Sequence, residues 1–148
     1  RTKKLSTASA TCEQLIYDGI DVTLSTGEKH FSLQIADQSN IDGIFNAVTL
    51  GATAYPYHAD GELCSMFSAT DIVTLYMNYK SFVTTQTTYC NALRQWIMRE
   101  EDKDKLAAIE YGSPLPDDLN AEMNTILTAA QEQVQAIVGK LTSAVRDT

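Results

Sequence analysis

The stretch SATDIVTLYMNYKSFVTTQTTYCNALRQWIMRE, residues 68–100, contains neither proline nor glycine and decides the fold. Its apolar side chains recur every three or four residues, which is the spacing of one face of an α-helix. These positions are Ile72, Leu75, Tyr76, Tyr79, Phe82, Val83, Tyr89, Leu93, Trp96 and Ile97. Ser68 followed by Asp71 resembles a capping box with Asp in place of Glu. We therefore predict a helix over residues 69–100, roughly 48 Å long at 1.5 Å per residue.

The residues before this helix predict a further helix and a hairpin. Residues 5–18 predict a helix that ends at Gly19. Its apolar side is formed by Leu5, Ala8, Cys12, Leu15 and Ile16. IDVTLS and HFSLQIA, residues 20–25 and 30–36, alternate in polarity and flank the turn TGEK, residues 26–29, which indicates a hairpin. The buried face of this hairpin is expected to carry Val22, Leu24, Phe31, Leu33 and Ile35.

ADQSNIDGIFNAVTLGA, residues 36–52, predicts a short helix. Asp37 is the expected N-cap, and Gly51 ends the pattern. The apolar stripe of this helix consists of Ile41, Ile44, Phe45 and Val48.

YPYHADGELCSMFS, residues 55–68, contains a histidine and a cysteine on either side of an Asp-Gly pair. Asp60-Gly61 favours a two-residue type I′ turn, in which both central residues have positive φ. Because neighbours on a strand alternate between its faces, that turn places His58 and Cys64 on opposite faces of the hairpin.

A metal or thiol enzyme built on His58 and Cys64 is nevertheless an alternative. Zinc requires three or four His, Cys or carboxylate ligands, and no spacing selects a third one among His30, Cys12 and Cys90. Thiol catalysis requires an imidazole within hydrogen-bond reach of the sulfur, which opposite faces do not provide. We therefore expect no enzyme activity, no metal and no cofactor.

The C-terminal third predicts a helix separated from the rest by a break. EEDKDK, residues 100–105, is expected to be a solvated helix end, and YGSPLPDD, residues 111–118, breaks the helix with glycine and proline. Beyond it, apolar residues follow an eleven-residue repeat, which favours a nearly straight or slightly right-handed bundle. The predicted interface positions are Leu119, Met123, Ile126, Ala130, Val134, Ile137, Leu141 and Val145. This stripe suits either a seam between several helices or packing on the chain's own long helix.

These segments together predict an α+β fold. We expect two small antiparallel β-hairpins packed with a short and a long α-helix, followed by a C-terminal long helix. Residues 1–100 are expected to form a compact domain, residues 101–116 a charged helix end and Gly/Pro linker, and residues 117–148 an amphipathic bundle or coiled-coil-like helix. Since the stripe on residues 69–100 exceeds what the domain can cover, part of it is expected to contact another chain or domain.

Composition excludes several classes of partner. The net charge of −8, from nineteen acidic and eleven basic residues, argues against nucleic acid. The sequence contains no run of eighteen apolar residues, so no membrane insertion is expected. The basic start RTKKLSTASA is not followed by the apolar stretch that is typical of a secretory signal. Three cysteines without CxxC spacing predict reduced, buried thiols in a protein that folds in the cytoplasm.

Three patterns in order resemble a known family. CEQLIYDGIDVTLSTGEKHFSLQIADQSNI, YHADGELCSMFS and TTYCNALRQWI are similar to a domain of unknown function that recurs in phage tail-fibre and tail-associated proteins. The resemblance covers about residues 10–98 and leaves residues 101–148 outside. It implies structural roles for Asp37, Gln38, Asn40, Tyr57, His58, Asp60, Gly61, Cys64, Tyr89 and Asn91.

The resemblance and the two long helical stripes predict a structural component of a bacteriophage or phage-like tail, baseplate or fibre attachment. Such a protein folds in the host bacterial cytoplasm and resides in the virion. Its expected partners are other tail, baseplate or fibre proteins and further copies of itself. One alternative is a tail-fibre assembly chaperone or adaptor that is not retained in the particle. The other is the enzyme at His58 and Cys64.

Overall fold

A computed structural model describes residues 1–146, with side chains up to Leu141. Within this part of the chain, five helices and two two-stranded antiparallel sheets confirm the predicted α+β class. Val145, one of the predicted interface positions, lies outside the described side chains. The elements are α1 (Thr2–Asp18), β1 (Ile20–Leu24), β2 (Gly27–Phe31), α2 (Ile35–Thr49), β3 (Ala54–Tyr57), β4 (Ser65–Ser68), α3 (Ala69–Arg99), α4 (Lys103–Ala108) and α5 (Asp117–Arg146).

The long helix α3 forms as predicted, and α1, α2, both hairpins and α5 pack on it. Ser68 Oγ accepts a hydrogen bond of 3.1 Å from the backbone N–H of Asp71. The predicted capping box is otherwise wrong, because the Asp71 carboxylate bonds to Ser25 in the β1–β2 turn. The least exposed side chains of α3 are Ile72, Leu75, Leu93 and Ile97.

Helix α1 begins three residues earlier than predicted and packs on α3. Ala8, Cys12 and Ile16 are buried. Leu15 is 39% exposed, so its predicted place on the buried side is wrong. A step of one residue turns about 100° around a helix, which carries Leu15 away from the face of Ile16. Gly19 ends the helix with φ of 88°.

The first hairpin has a tighter turn than predicted. Leu24 pairs with Gly27, so the turn consists of residues 25–26, and the prediction of a turn over residues 26–29 is wrong. Gly27, which opens β2, has φ of 114°. A positive φ of this kind is accessible to glycine at little cost, so the chain can reverse one residue earlier.

The second strand also ends earlier than predicted. The chain leaves the sheet after Phe31, and Leu33 is completely buried in the following loop. Ile35 is 66% exposed as the first residue of α2, so its predicted place on the buried face of the hairpin is wrong. The residues of HFSLQIA alternate in polarity, but they form the end of a strand, a buried loop and the start of a helix.

Helix α2 carries the predicted apolar stripe but starts differently. Gln34 is the N-cap, and its backbone N–H donates a hydrogen bond of 3.0 Å to the Asp37 carboxylate. The prediction of Asp37 as N-cap is wrong, since it lies three residues inside the helix. Ile41 and Ile44 are buried, Val48 is partly buried, and Phe45 stacks on Tyr76 of α3 with ring centroids 3.6 Å apart.

The second hairpin is joined by residues 58–64 rather than by a two-residue turn. A hydrogen bond of 3.2 Å from the N–H of Glu62 to the carbonyl of Ala59 closes the reversal. Gly61 has φ of 74°, whereas Asp60 does not have a positive φ, so the predicted type I′ turn is wrong. A positive φ at Gly61 alone, together with this hydrogen bond, fits a type II turn. Ala59 is 3% exposed, so its methyl group is buried within this longer loop.

The two hairpins share one part of the core. Phe31 of β2 stacks on Tyr57 of β3 at 6.2 Å and meets Phe67 of β4 edge to face at 6.2 Å. The backbone N–H of Asp60 donates a hydrogen bond of 2.9 Å to the carbonyl of His30. Aromatic packing and this bond therefore join the two hairpins to each other.

Residues 101–116 contain the short helix α4 and follow the surface of α1 and α3. Lys4 Nζ donates hydrogen bonds to the carbonyls of Ala107 and Ile109, at 2.7 and 2.6 Å. Ile109 is 2% exposed. The hydroxyl of Tyr89 on α3 donates to the carbonyl of Ser113 at 2.6 Å. The segment predicted as a linker is thus bound to two helices before α5 begins.

Candidate functional site

Helix α5 runs antiparallel to α3. At its start, the Arg99 guanidinium makes two hydrogen bonds of 2.7 Å to the Asp118 carboxylate. These bonds lower the pKa of Asp118 to about 2. Farther along, residues 127–135 of α5 lie opposite residues 77–85 of α3, and Leu141 packs against the main core.

The side of α5 that faces α3 is only half buried. Up to Leu141, none of its side chains is fully buried. The half-buried ones again follow an eleven-residue repeat. They are Leu119, Met123, Leu127, Ala130, Val134, Val138 and Leu141.

Two of the predicted interface residues lie beside this half-buried line. Ile126 is 49% exposed and Ile137 is 42% exposed, whereas their neighbours Leu127 and Val138 turn toward α3. Eleven residues make three turns, so the two isoleucines lie on one face, about 16 Å apart. The apolar arc of α5 is therefore wider than the strip that α3 covers.

The seam between α3 and α5 is open along its middle. A groove of about 430 Å³ separates the two helices there. Hydroxyl and amide side chains such as Ser81, Thr84 and Gln131 line it beside the apolar Leu127 and Val134. The groove is open to solvent and leaves apolar side chains of both helices uncovered, so α3 alone does not complete the packing of α5.

The middle of α5 also carries little charge. Between Met123 and Gly139, Glu132 is the single ionisable residue. Two copies of this stretch can approach each other with little electrostatic repulsion. Low charge and an incompletely covered apolar arc make α5 the candidate site for contact with another protein chain.

His58 and Cys64, the residues of the alternative enzyme site, both lie in the loop of residues 58–64. His58 Nδ1 lies 3.1 Å from the carbonyl oxygen of Ala59, and its ring is tilted against Tyr57 at 5.3 Å. Cys64 is exposed. Among the described residues, no three His, Cys, Asp or Glu side chains are grouped as metal ligands.

The other motif residues are placed as follows. Gln38 Nε2 donates a hydrogen bond of 2.9 Å to the carbonyl of Leu33 and holds the loop before α2. Asn40 and Asn91 are exposed on their helices. The hydroxyl of Tyr89 accepts a hydrogen bond of 2.9 Å from the backbone of Gly112, in addition to its bond to Ser113. These contacts order backbone segments.

A polar cluster around His30 joins α1 to the first hairpin. Nδ1 of His30 lies 2.7 Å from an Asp21 carboxylate oxygen, and Nε2 lies 2.6 Å from the carbonyl oxygen of Asp18. A carbonyl oxygen only accepts, so Nε2 carries a proton, and a second proton on Nδ1 gives the imidazolium its bond to Asp21. The bond to Asp21 and then that to Asp18 raise the pKa of His30.

The Asp60 carboxylate extends this cluster to the second hairpin. It lies 3.9 Å from His30 Nε2 and accepts hydrogen bonds from the backbone N–H and the hydroxyl of Ser32. Partial burial opposes ionisation of Asp60. The two bonds from Ser32 and the nearby imidazoles of His30 and His58 outweigh this effect and lower the pKa of Asp60.

We expect the His30 cluster to make stability depend on pH. Since the folded-state pKa is raised above the ordinary 6.5, the contribution of His30 is fully present below about pH 6.5 and is lost as pH rises through the folded-state pKa. His30→Gln should therefore lower the melting temperature most in acid and least in mild alkali. Calorimetry of both proteins from about pH 5 to about pH 9 measures the difference. A constant difference across this range would contradict the assigned protonation.

No described helix is both long and apolar enough to cross a membrane. In comparisons with known proteins, no family model, curated protein or solved structure matches this chain. The candidate site therefore rests on the geometry of α5, on its charge and on the sequence patterns described above.

Proposed function

We propose that this chain is a structural assembly protein that uses α5 to join a second copy of itself. We further propose that the assembly belongs to a bacteriophage or phage-like tail, baseplate or fibre attachment, in the virion. The exposure of Ile126 and Ile137 on a half-covered helix carries the assembly proposal. The resemblance of residues 10–98 to a tail-associated domain supports the phage assignment.

Symmetry and charge support a second copy as the occupant of this face. Full burial of an isoleucine side chain contributes about 1.5–3 kcal/mol, and half of each side chain is still exposed in the single chain. In a two-fold symmetric contact both Ile126 and Ile137 are buried on each copy, so the gain is doubled. The low charge between residues 123 and 139 favours a like surface over a strongly acidic or basic partner.

The test compares two double variants that add the same charge. Ile126→Glu with Ile137→Glu places two carboxylates on the exposed apolar face. Thr128→Glu with Gly139→Glu places them on the opposite side of α5, also eleven residues apart and at exposed positions. A Cβ at Gly139 would meet no atom within 4 Å, so this control introduces no clash.

We expect the wild type and the control pair to form oligomers and the isoleucine variant to have the mass of a single chain. Light scattering after size exclusion, over a range of concentrations, measures this difference. A weakening of self-association by at least about tenfold is expected, because each buried carboxylate lacks a partner. A monomeric wild type, or equal behaviour of the two variants, would contradict the assembly proposal.

The presence of this chain in finished phage particles needs a separate measurement. Quantitative mass spectrometry of purified particles should find this chain in a fixed ratio to other tail proteins. Its absence from finished particles, combined with association during assembly, would instead identify a tail-fibre assembly chaperone or adaptor. Self-association through α5 is compatible with both roles. A negative result in one of the two experiments therefore leaves the other proposal intact.

A further inference from the structure

Two buried thiols face each other between α1 and α3. Cys12 is 6% exposed and Cys90 is 7% exposed. The thiol of Cys12 donates to the carbonyl of Gln86 at 3.6 Å, and the thiol of Cys90 donates to the carbonyl of Ala8 at 3.8 Å. The two contacts are reciprocal across the helix interface.

Helix geometry shows that these two reciprocal contacts bring the sulfur atoms of Cys12 and Cys90 close together. In an α-helix, the carbonyl of a residue accepts from the N–H four residues later. The carbonyl of Gln86 therefore lies beside the backbone of Cys90, and the carbonyl of Ala8 lies beside the backbone of Cys12. Each sulfur thus reaches the backbone turn of the other cysteine. The Cys12 thiol also contributes to raising the pKa of Cys90, after burial, which is the larger cause.

The pair can be approached from the surface. A shallow cavity of about 410 Å³ includes both cysteines in its lining, together with Ile16, Val83 and Arg94. The Arg94 guanidinium also bonds to the carbonyl of Leu5 at 2.9 Å. Glu13 lines the same cavity, so the lining carries one positive and one negative side chain.

We propose that Cys12 and Cys90 form a dithiol site that a small-molecule disulfide oxidises to a disulfide linking α1 and α3. One thiolate attacks the reagent, forms a mixed disulfide and releases one thiolate of the reagent. The second cysteine then attacks the protein sulfur of the mixed disulfide and releases the other. The protein loses two protons and two electrons, and the reagent is reduced to two thiols.

Burial sets the rate of this exchange. Burial, and then the neighbouring Cys12 thiol, raise the pKa of the Cys90 thiol to about 11 against the opposing charge of Arg94, so little thiolate is present at neutral pH. The hydroxyl of Tyr111 also lies beside the Cys12 thiol. In either order of attack, Cys90 is the nucleophile in one of the two steps. When the Cys90 step limits the rate, oxidation should accelerate by roughly tenfold for each pH unit between about 7 and 9.

The experiment uses the full chain with Cys64→Ser, which removes the exposed thiol, and glutathione disulfide under native conditions. We expect the intact mass to fall by two hydrogen atoms and a proteolytic digest to contain a peptide pair linked through Cys12 and Cys90. The melting temperature should rise by roughly 10 °C, because the link closes a long loop in the unfolded chain. Reduction should restore the original value.

Cys12→Ser and Cys90→Ser, each in the Cys64→Ser background, are the controls. Neither should gain stability on the same treatment, and circular dichroism establishes that each is folded. Oxidation that stops at a glutathione adduct, or leaves both cysteines free for alkylation after unfolding, would overturn the proposal. So would a disulfide that forms only above the denaturant concentration at which the chain unfolds.

Discussion

Gly19→Ala is expected to lower the free energy of unfolding by at least about 3 kcal/mol, a large part of the stability of an ordinary domain. Gly19 has φ of 88°, which a residue with a side chain rarely adopts. A Cβ at this position would overlap the carbonyl oxygen of Phe31 and lie 2.7 Å from the Cα of Ser32. Both obstacles are backbone atoms, so relief requires α1 and the first hairpin to separate.

Gly27→Ala is the matched control for this prediction. Gly27 also has a positive φ, of 114°, but a Cβ there meets no atom within 4 Å. Gly27→Ala is expected to lower the free energy of unfolding by about 1–2 kcal/mol, which is the cost of backbone strain alone. Urea unfolding of the two variants and the wild type measures both effects. Equal costs at the two positions would contradict the close approach of α1 to β2 at Gly19.

Asp71→Ala is expected to cost about 3 kcal/mol of folding free energy. Asp71 is 7% exposed, and its carboxylate accepts hydrogen bonds from the backbone N–H and the hydroxyl of Ser25, at 3.0 and 2.6 Å. Hydrogen bonds to a charged group contribute about 1.5–3 kcal/mol each, and the substitution leaves the Ser25 N–H without this acceptor. The β1–β2 turn would thereby lose its attachment to the start of α3.

Ser25→Ala separates the two bonds, because it removes the hydroxyl and keeps the backbone N–H. We expect it to cost less than half as much as Asp71→Ala. In the double variant, the cost of Ser25→Ala should nearly vanish, which a double-mutant cycle from urea unfolding detects. Additive costs would show that the two side chains act independently. They would contradict the attachment of the β1–β2 turn to the start of α3 through Asp71.

The helical framework could be predicted because its signals are long and agree with one another. The stripe on α3 extends over many turns, and the ends of that helix have a serine cap and a charged run. The turn of the first hairpin could not be predicted from the sequence, because two different turns fit TGEK and its flanks. Gly27 decides between them by its positive φ. The His30 cluster could not be predicted for the same reason, since Asp21 and His30 are cross-strand partners only with the shorter turn.

The candidate site was predicted in part. The eleven-residue repeat of α5 is visible in the sequence, but isoleucine at 126 and leucine at 127 both fit an apolar stripe, as do the pair at 137 and 138. Only the docking of α5 on α3 shows which member of each pair is covered. The facing of Cys12 and Cys90 could not be predicted either, because it depends on how far α1 is shifted along α3, and no local pattern contains that shift.

The antiparallel course of α5 along α3 also determines how the two helices respond to mechanical load. Arg99 and Asp118 hold one end of the seam, and Leu141 lies at the other. A pull on the far end of α5 would peel the helix away one layer of side chains at a time, rather than shear all layers together.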